Sequence, residues 1–297
     1  MSSIAIGFIG FGEVGPVLSA ALAEGGAAVR VYDILVDRGQ ADVLRSRRRA
    51  EGIEIISLPE LLRESRYILS TVTTQVAEQV ARTCAPQLRP GQIYIDLNST
   101  SPKVKQRLQE IIAPSGADFV EGAILGAIGA TGAATRILLT GEKAAEASAI
   151  LNELGLNTCP YGARIGKASL FKMLRSVFMK GIEALILECL VAGRRAGIAE
   201  DLFADIGDFM NERPFEQLVN NWLCSHAVAH ERRYHEMLQV VETMAELGVE
   251  PVMTAGTVAF FRRSGELGFE EAFPRRPDSM DEVVAFVEER LRAQGEV

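Results

Sequence analysis

Four polar side chains recur at helical spacing in an otherwise apolar stretch of the chain. Lys172, Ser176, Lys180 and Glu183 stand at i, i+4, i+8 and i+11 within Leu170–Ala192. This spacing places them along one face of a helix. The apolar residues around them predict a helix buried between other elements. Because burying an unpaired ammonium is costly, the first lysine must reach solvent or a polar cleft.

A lysine in a cleft could serve as a general acid and base. Oxidising an alcohol requires removal of the hydroxyl proton, and reducing a carbonyl requires its return. Partial desolvation brings a lysine close enough to neutrality to do both. We take Lys172 as the candidate catalytic residue and Ser176 as the residue that orients the substrate oxygen or the lysine. The alternative is a solvated face on which Lys180 pairs with Glu183, and the pattern alone does not decide.

A glycine-rich segment near the start of the sequence could bind a pyrophosphate. The segment Gly10–Gly15 reads Gly-Phe-Gly-Glu-Val-Gly and lies between a predicted strand, Ile4–Ile9, and a predicted helix, Pro16–Glu24. Its glycines would allow a tight turn, close approach of the backbone to phosphate and close helix packing. The helix N-terminus would offer N–H groups to the anion. We therefore predict cofactor contacts from Gly10, Phe11, Gly12, Glu13 and Val14, with the Glu13 carboxylate turned to solvent.

An acidic residue follows the second predicted strand, Ala28–Tyr32. It is Asp33, eighteen residues beyond Gly15. An acid at this point can accept hydrogen bonds from the adenosine ribose hydroxyls, so we expect NAD as the cofactor. Arg38 and Arg45 follow closely enough to accommodate a 2′-phosphate, and NADP stays possible.

The elements that would position these residues fall into two groups. Up to residue 161, short apolar runs alternate with helical stretches, which predicts βαβ units and a parallel sheet. The further predicted strands are Ile53–Ile56, Tyr67–Thr71, Ile93–Leu97, Asp118–Glu121, Arg136–Thr140 and Asn157–Tyr161. We expect Val72 and Thr73, after the fourth strand, to contact the cofactor.

Helical periodicity replaces the strand pattern in the second half. One long helix is predicted from Ile165 to Arg195, and further helices over 200–223, 226–247, 251–264 and 278–293. The sequence therefore predicts an α/β protein with two domains. Residues 1–163 would form a Rossmann-type parallel-sheet domain that binds NAD(P). Residues 164–297 would form an all-helical domain for substrate binding and dimerisation.

Composition excludes several classes of partner. A length of 297 residues suits two domains. The net charge of −8 disfavours nucleic acid as a partner. No apolar run approaches the ~20 residues of a membrane span, and the N-terminal segment has no secretory pattern, so we expect a cytoplasmic protein without membrane contact. The four cysteines are isolated from one another, which favours reduced thiols.

Several of these segments together resemble the β-hydroxyacid dehydrogenases, the family of 6-phosphogluconate and 3-hydroxyisobutyrate dehydrogenases. The glycine-rich turn is similar to the family's first motif. Asp96–Pro102 reads Asp-Leu-Asn-Ser-Thr-Ser-Pro and is similar to the family's segment beside the nicotinamide. Lys172–Ser176 resembles its catalytic Lys-x-x-x-Asn. The resemblance implies an NAD(P)-dependent dehydrogenase acting on CH–OH groups, with Lys172 as general acid and base, Asn98 on the cofactor and Ser99 on the substrate.

The sequence also departs from this family. Leu125 stands where relatives place a serine that holds the substrate carboxylate, followed by Gly126 and Ala127, which we expect to contact the substrate. His235 stands in a segment where relatives carry a lysine near the cofactor, and we expect it to line the cleft. The segment His230–Met237 is similar to a branch of phosphogluconate dehydrogenase-like proteins. The resemblance suggests a small 3-hydroxy acid or sugar acid, without naming it or settling whether decarboxylation follows oxidation.

Other interpretations stay open at this stage. Imine reduction on the same scaffold is one, although such relatives usually lack the lysine. A dinucleotide sensor without catalysis is another. His226 and His230 share a helical face and could supply two zinc ligands, but we expect no metal, because His235 is rotated away from them. The apolar helix Leu185–Ala192 favours a homodimer formed through the C-terminal halves.

Overall fold

The computed structural model of the protein describes residues 3–295. These residues form two compact units that divide between Val177 and Phe178. Eight strands of the described chain lie in the first unit. They are β1 (Ala5–Ile9), β2 (Ala28–Tyr32), β3 (Ile53–Ile55), β4 (Tyr67–Ser70), β5 (Ile93–Asp96), β6 (Asp118–Ile124), β7 (Arg136–Thr140) and β8 (Asn157–Pro160). The predicted α/β fold is confirmed.

The eight strands form one sheet in the order β3-β2-β1-β4-β5-β6-β7-β8. All neighbouring pairs are parallel except β6 and β7. The chain runs outward from β1 to β3 and then returns to β4 on the other side of β1. Ligands of open α/β sheets bind at the carboxyl ends of the strands where the strand order reverses in this way. The crevice between β1 and β4 is therefore the place where this fold offers a site.

The antiparallel pair departs from the predicted all-parallel sheet. Residues 125–135 join β6 to β7 and contain only one short α-helical turn, Ile128–Thr131. A parallel connection needs a crossover of about a dozen or more residues, whereas an antiparallel pair can be joined by fewer. The loop after β6 consequently stays at the same edge of the sheet as the glycine-rich turn.

Within the described residues, fourteen α-helices accompany the strands. They are α1 (Val14–Glu24), α2 (Ile34–Asp37), α3 (Ala41–Arg47), α4 (Leu58–Glu64), α5 (Ala77–Cys84), α6 (Pro102–Ile112), α7 (Ile128–Thr131), α8 (Ala144–Glu153), α9 (Lys167–Ala196), α10 (Ala199–Asn211), α11 (Phe215–Glu246), α12 (Val252–Glu266), α13 (Phe269–Ala272) and α14 (Met280–Ala293). Over the same part of the chain, no helix combines the length and apolarity needed to cross a membrane.

Helices cover both faces of the sheet. Leu69 of β4 faces a core built with α1 and α8, whereas the preceding Ile68 faces a second core built with α4, α5 and α6. Successive side chains of a strand point to opposite faces, so a strand with both faces covered is apolar throughout. β4 and β5 are buried at every position for this reason.

The second unit is helical. Ala227 of α11 packs with Leu267, Phe269 and Val283 in its core. α11 runs unbroken over 32 residues, so the predicted break between 223 and 226 is wrong. The helical region is interrupted instead just before Pro214, because proline has no N–H and disfavours helix in the residue before it.

Six residues separate β8 from the long helix α9, which continues past Val177. The predicted domain boundary at residue 163 lies before this helix and stays a prediction. The expectation that the helix is buried all round is wrong for the single chain. Leu174, Val177 and Leu187 are 62%, 73% and 66% exposed.

Candidate functional site

The glycine-rich turn after β1 has the geometry of a phosphate-binding loop. Gly10 has a φ of 92°, and a Cβ there would lie 2.7 Å from the carbonyl oxygen of Thr71. A Cβ on Gly15 would lie 2.7 Å from the Gly10 oxygen. In contrast, a Cβ on Gly12 would meet no protein atom within 4 Å, so the backbone there is open to a ligand. Thr71 Oγ1 donates to the Gly10 oxygen at 2.8 Å and ties the turn to β4.

Two side chains brace this turn from the second strand and its following helices. The Phe11 N–H donates to Asp33 Oδ2 at 2.8 Å. Arg47 Nη1 donates to the Phe11 carbonyl at 3.1 Å. The Phe11 ring is fully buried, so this residue contributes to the turn through its backbone. Arg45, one of the two arginines predicted to accommodate a 2′-phosphate, pairs with Asp42, and that role stays a prediction.

A cavity of about 390 Å³ opens at the carboxyl ends of β1, β4, β5 and β6. This volume suits a small ligand or part of a larger one. It brings together nine of the predicted site residues, namely Glu13, Val14, Val72, Thr73, Asn98, Ser99, Gly126, Ala127 and Lys172. Sequence reasoning missed six further lining residues: Thr71, Thr74, Gln75, Leu97, Ile124 and Ile128. Their common signal is a position shortly after, or at the end of, a strand that reaches this edge of the sheet.

Lys172 lies in the second turn of α9 and faces this cavity. Its Nζ donates a hydrogen bond to Ser99 Oγ at 2.6 Å, and Ser99 is the exposed member of the segment after β5. A charge-assisted bond of this length is short for an ammonium and a hydroxyl. The cavity therefore contains an amine and a hydroxyl in direct contact, which is an arrangement able to accept or return a proton.

Ser176 does not line the cavity. Its Oγ donates to the Lys172 carbonyl at 2.8 Å, within the same helix. Its predicted role in orienting the substrate stays a prediction. The same is true of His235, an exposed residue of α11 in the second unit.

The start of α9 is fastened to the sheet by a buried carboxylate. Glu121 of β6 is fully buried. Its Oε2 accepts from the Gly166 N–H at 2.5 Å, and its Oε1 accepts from the Ser169 N–H at 2.6 Å. Unpaired N–H groups at a helix N-terminus are well satisfied by such an acceptor. This contact fixes the turn that immediately precedes Lys172.

The loop after β6 presents backbone to the cavity. It begins with Leu125, at the position where the resemblance to the family would place a serine. Leu125 packs with Ala123, Leu138 and Ala168, and its N–H donates to the Arg136 carbonyl. Its side chain therefore belongs to a small apolar core. The neighbouring Gly126 and Ala127 are exposed and line the cavity.

The paired histidines lie in the core of the second unit, away from solvent. His226 and His230 are 5% and 6% exposed, so the helical face that they share is buried. His226 Nε2 lies 2.9 Å from Ser264 Oγ, and burial, reinforced by His230, lowers the pKa of His226 to about 4. Within residues 3–295 no three His, Cys, Asp or Glu side chains are grouped to hold a metal ion.

Comparison with known families matches both halves of the chain. Residues 5–162 match the NAD-binding domain of 6-phosphogluconate dehydrogenase. Residues 194–264 match a domain of unknown function. The first match covers more than half of the 297 residues and includes the glycine-rich turn, Asp33 and the segment after β5.

Individual relatives extend over nearly the whole chain. An uncharacterised 28.5 kDa protein of Methanothermus fervidus is 27% identical, over 88% of this chain and 99% of its own. The 2-(hydroxymethyl)glutarate dehydrogenase of Eubacterium barkeri is 21% identical over 90% of this chain and 91% of its own.

Solved structures show the same architecture. A conserved protein of unknown function, described as structurally similar to 3-hydroxyacid dehydrogenases, is 32% identical over 88% of this chain and 96% of its own, with a TM-score of 0.59. A reductive aminase from Aspergillus terreus, solved with NADPH4, has a TM-score of 0.75 at 15% identity and covers 96% of this chain and 100% of its own. At that identity the second likeness concerns the fold alone.

Proposed function

Because this chain belongs to the β-hydroxyacid dehydrogenase superfamily, we propose that it is an NAD(P)-dependent dehydrogenase acting on the hydroxyl-bearing carbon of a small polar hydroxy acid. The observation that carries the proposal is the 2.6 Å contact between Lys172 Nζ and Ser99 Oγ. It lies in the cavity beside the glycine-rich turn. A proton-transfer group and a dinucleotide-binding turn at one edge of a sheet are what this reaction needs.

The residues that would hold the cofactor fit it. The open backbone at Gly12 and the N-terminus of α1 would receive the pyrophosphate. The Asp33 carboxylate would meet the adenosine ribose. A bound nicotinamide would supply the hydride chemistry of the reaction. Val72, Thr73 and Asn98 would contact its nicotinamide half from the ends of β4 and β5.

Lys172 performs the proton transfer in this proposal. In the direction of oxidation, its neutral amine removes the substrate hydroxyl proton, and in reduction the ammonium returns a proton to the carbonyl oxygen. Ser99 holds the lysine Nζ at the cavity and can also contact the reacting oxygen. Ser176, one turn along the helix, is proposed to help orient the substrate.

The substrate is proposed to be a 3-hydroxy acid or a sugar acid. Gly126 and Ala127 offer backbone groups at the cavity, while Leu125 provides no hydroxyl there. Recognition of a carboxylate would therefore depend on main-chain N–H groups. We propose that the protein is cytoplasmic and has no nucleic-acid or membrane partner. It would act as a homodimer formed through the C-terminal helices.

The test measures reduction of NAD and NADP with a library of hydroxy acids, sugar acids and amino alcohols. With any substrate found, Lys172→Ala should reduce kcat by about 10²- to 10⁴-fold, the usual contribution of a general acid or base, with cofactor affinity nearly unchanged. The control is Lys167→Ala. Lys167 is an exposed lysine of the same helix that stacks on Tyr161 and does not line the cavity, so its removal should leave kcat nearly unchanged.

Three results would contradict the proposal. The first is a Lys172→Ala variant as active as its control. The second is turnover of cyclic imines and of no hydroxy acid, which would favour imine reduction. The third is tight dinucleotide binding without turnover of any compound in the library, which would favour a sensor.

A further inference from the structure

A fully buried ion pair lies at the end of β5, outside the set of residues that line the cavity. Lys105 Nζ donates to Asp96 Oδ1 at 2.5 Å and to the Asp96 carbonyl at 2.9 Å. The two side chains are 1% and 0% exposed. Lysine and aspartate are almost never buried to this extent unless paired, and a pair so buried stabilises the fold little compared with apolar residues. We therefore look for a role of this ion pair other than stabilising the fold.

The second oxygen of Asp96 is in contact with Asn98. Asn98 Nδ2 donates to Asp96 Oδ2 at 2.6 Å and to Ser70 Oγ at 3.0 Å. A carboxylate paired with a lysine can only accept hydrogen bonds, so the nitrogen of the amide must face it. This settles which way the Asn98 amide points, an assignment that is otherwise ambiguous. Both of its N–H groups are used in this way.

The oxygen of the amide, Asn98 Oδ1, takes part in neither of these hydrogen bonds. It is buried and has no hydrogen-bond partner within residues 3–295, and Asn98 as a whole is 5% exposed. Buried acceptors without a donor are rare and costly. Asn98 lines the same cavity as Ser99 and Lys172. A ligand bound in that cavity would be able to supply the donor.

We propose that Lys105, acting through Asp96, is a positioning residue that holds the Asn98 amide with its oxygen toward the ligand. Asn98 Oδ1 then accepts an N–H of the nicotinamide carboxamide. This inference rests on the proposed function, since it requires a nicotinamide dinucleotide in the cavity. It also predicts which ligand groups the site prefers. The position beside Asn98 takes a hydrogen-bond donor and disfavours a carbonyl or carboxylate oxygen.

The test compares the binding of three ligands without substrate. They are NAD, its 3-acetylpyridine analogue, in which a methyl group replaces the carboxamide nitrogen, and ADP-ribose, which lacks the nicotinamide. The wild-type protein should bind NAD about five- to tenfold more tightly than the analogue, as expected for one neutral hydrogen bond. Asn98→Leu, which removes the acceptor at similar size, should bring this ratio close to one.

The positioning role is tested with the double variant Asp96→Asn/Lys105→Met. It replaces the ion pair by neutral groups of similar size, a change that buried pairs often tolerate. The amide introduced in place of the Asp96 carboxylate could offer an oxygen or a nitrogen, so the Asn98 amide would be free to turn. The ratio of NAD to analogue affinity should fall, while ADP-ribose affinity stays that of wild type. The matched control is Lys143→Met/Glu146→Gln, which removes an ion pair at the surface.

The outcomes separate this inference from the proposed function. Wild-type protein that binds no ADP-ribose overturns the dinucleotide site itself. ADP-ribose binding with equal affinity for NAD and the analogue overturns the inference about Asn98 alone. If Asn98→Leu lowers the ratio and the double variant retains it, the role of Lys105 is overturned. A double variant that loses NAD, analogue and ADP-ribose affinity in equal proportion also overturns that role, because the pair would then be merely structural.

Discussion

Asp33 closes the glycine-rich turn from the end of β2. One carboxylate oxygen accepts from the Phe11 N–H at 2.8 Å, and the other accepts from the Leu35 N–H at 3.1 Å. The two bonds hold a negative charge beside the turn at the place where the adenosine ribose of a dinucleotide would lie. A 2′-phosphate at the same place would be repelled. This is the physical basis for expecting a preference for NAD over NADP.

Replacing this carboxylate should shift the cofactor preference. In Asp33→Ser, the serine can still cap Leu35, but the repulsion is gone and Arg47 stays close to the turn. We expect the ratio of NADP to NAD affinity to rise by about tenfold or more, equivalent to about 1.4 kcal/mol. Titration calorimetry measures both constants. Glu51→Ser, which removes an exposed acid elsewhere, should leave the ratio unchanged, and an equal shift in both variants would refute the assignment to Asp33.

Residue types and motifs indicated part of the site, and tertiary structure supplied the rest. Lys172 and Ser99 are far apart in sequence, and each was predicted from its own motif. Lys105 gave no such signal, because it lies in α6 between Lys103 and Arg107 and reads as one more cation of a solvated helix. Only the packing of β6 against both β5 and α6 makes it a buried partner of Asp96.

At the scale of elements, the contact between β6 and the start of α9 determines where Lys172 lies. The Glu121 carboxylate accepts from two N–H groups at the start of α9 and from Thr140 Oγ1 of β7 at 2.7 Å. One side chain thus connects two strands of the sheet to the helix that carries Lys172. Its removal would leave three buried donors without this acceptor.

Glu121→Ala should therefore destabilise the first unit strongly. Each unsatisfied buried donor costs about 1–3 kcal/mol, so we expect the free energy of unfolding to fall by about 3–5 kcal/mol. Urea denaturation monitored by circular dichroism measures the loss. The matched control is Glu146→Ala, because Glu146 binds Arg66 and Lys143 at the surface and should cost less than about 1 kcal/mol. Similar losses of stability in the two variants would show that Glu121 does not fasten α9 to the sheet.

For the eight described strands, local patterns placed every boundary within three residues of the observed one, and most boundaries coincide with it. β2 and β7 have the predicted bounds, and β6 continues three residues past Glu121 to Ile124. That extension was missed because Gly122 and Ala123 have low strand propensity. Tertiary packing, and not strand propensity, determines the residue type at this position, since a Cβ at Gly122 would overlap Leu97 Cδ2. The glycine permits β5 and β6 to approach where the site is built.

At the scale of the whole molecule, alternating strands and helices predicted the doubly covered sheet. The burial of β4 and β5 on both faces is visible in their largely apolar sequences. The reversal of β7 was not predictable from such runs, because strand direction depends on the length of the connection and not on the strand itself. Apolar periodicity likewise identified the long helix α9 without identifying what would cover it.

The apolar side chains of α9 supply the last prediction, which concerns assembly. Val177 and Leu187 are 73% and 66% exposed in the single chain, and apolar surface gathered along one helix is typical of an interface. We expect the protein to be a dimer at micromolar concentration. Because burying a carboxylate between two such surfaces is costly, Val177→Glu/Leu187→Glu should be monomeric. Light scattering after size-exclusion chromatography measures the mass. Val284→Glu makes a similar change at a 53% exposed valine of α14 and should remain dimeric. A monomeric wild-type protein would contradict the expected dimer, and a dimeric double variant would place the interface elsewhere.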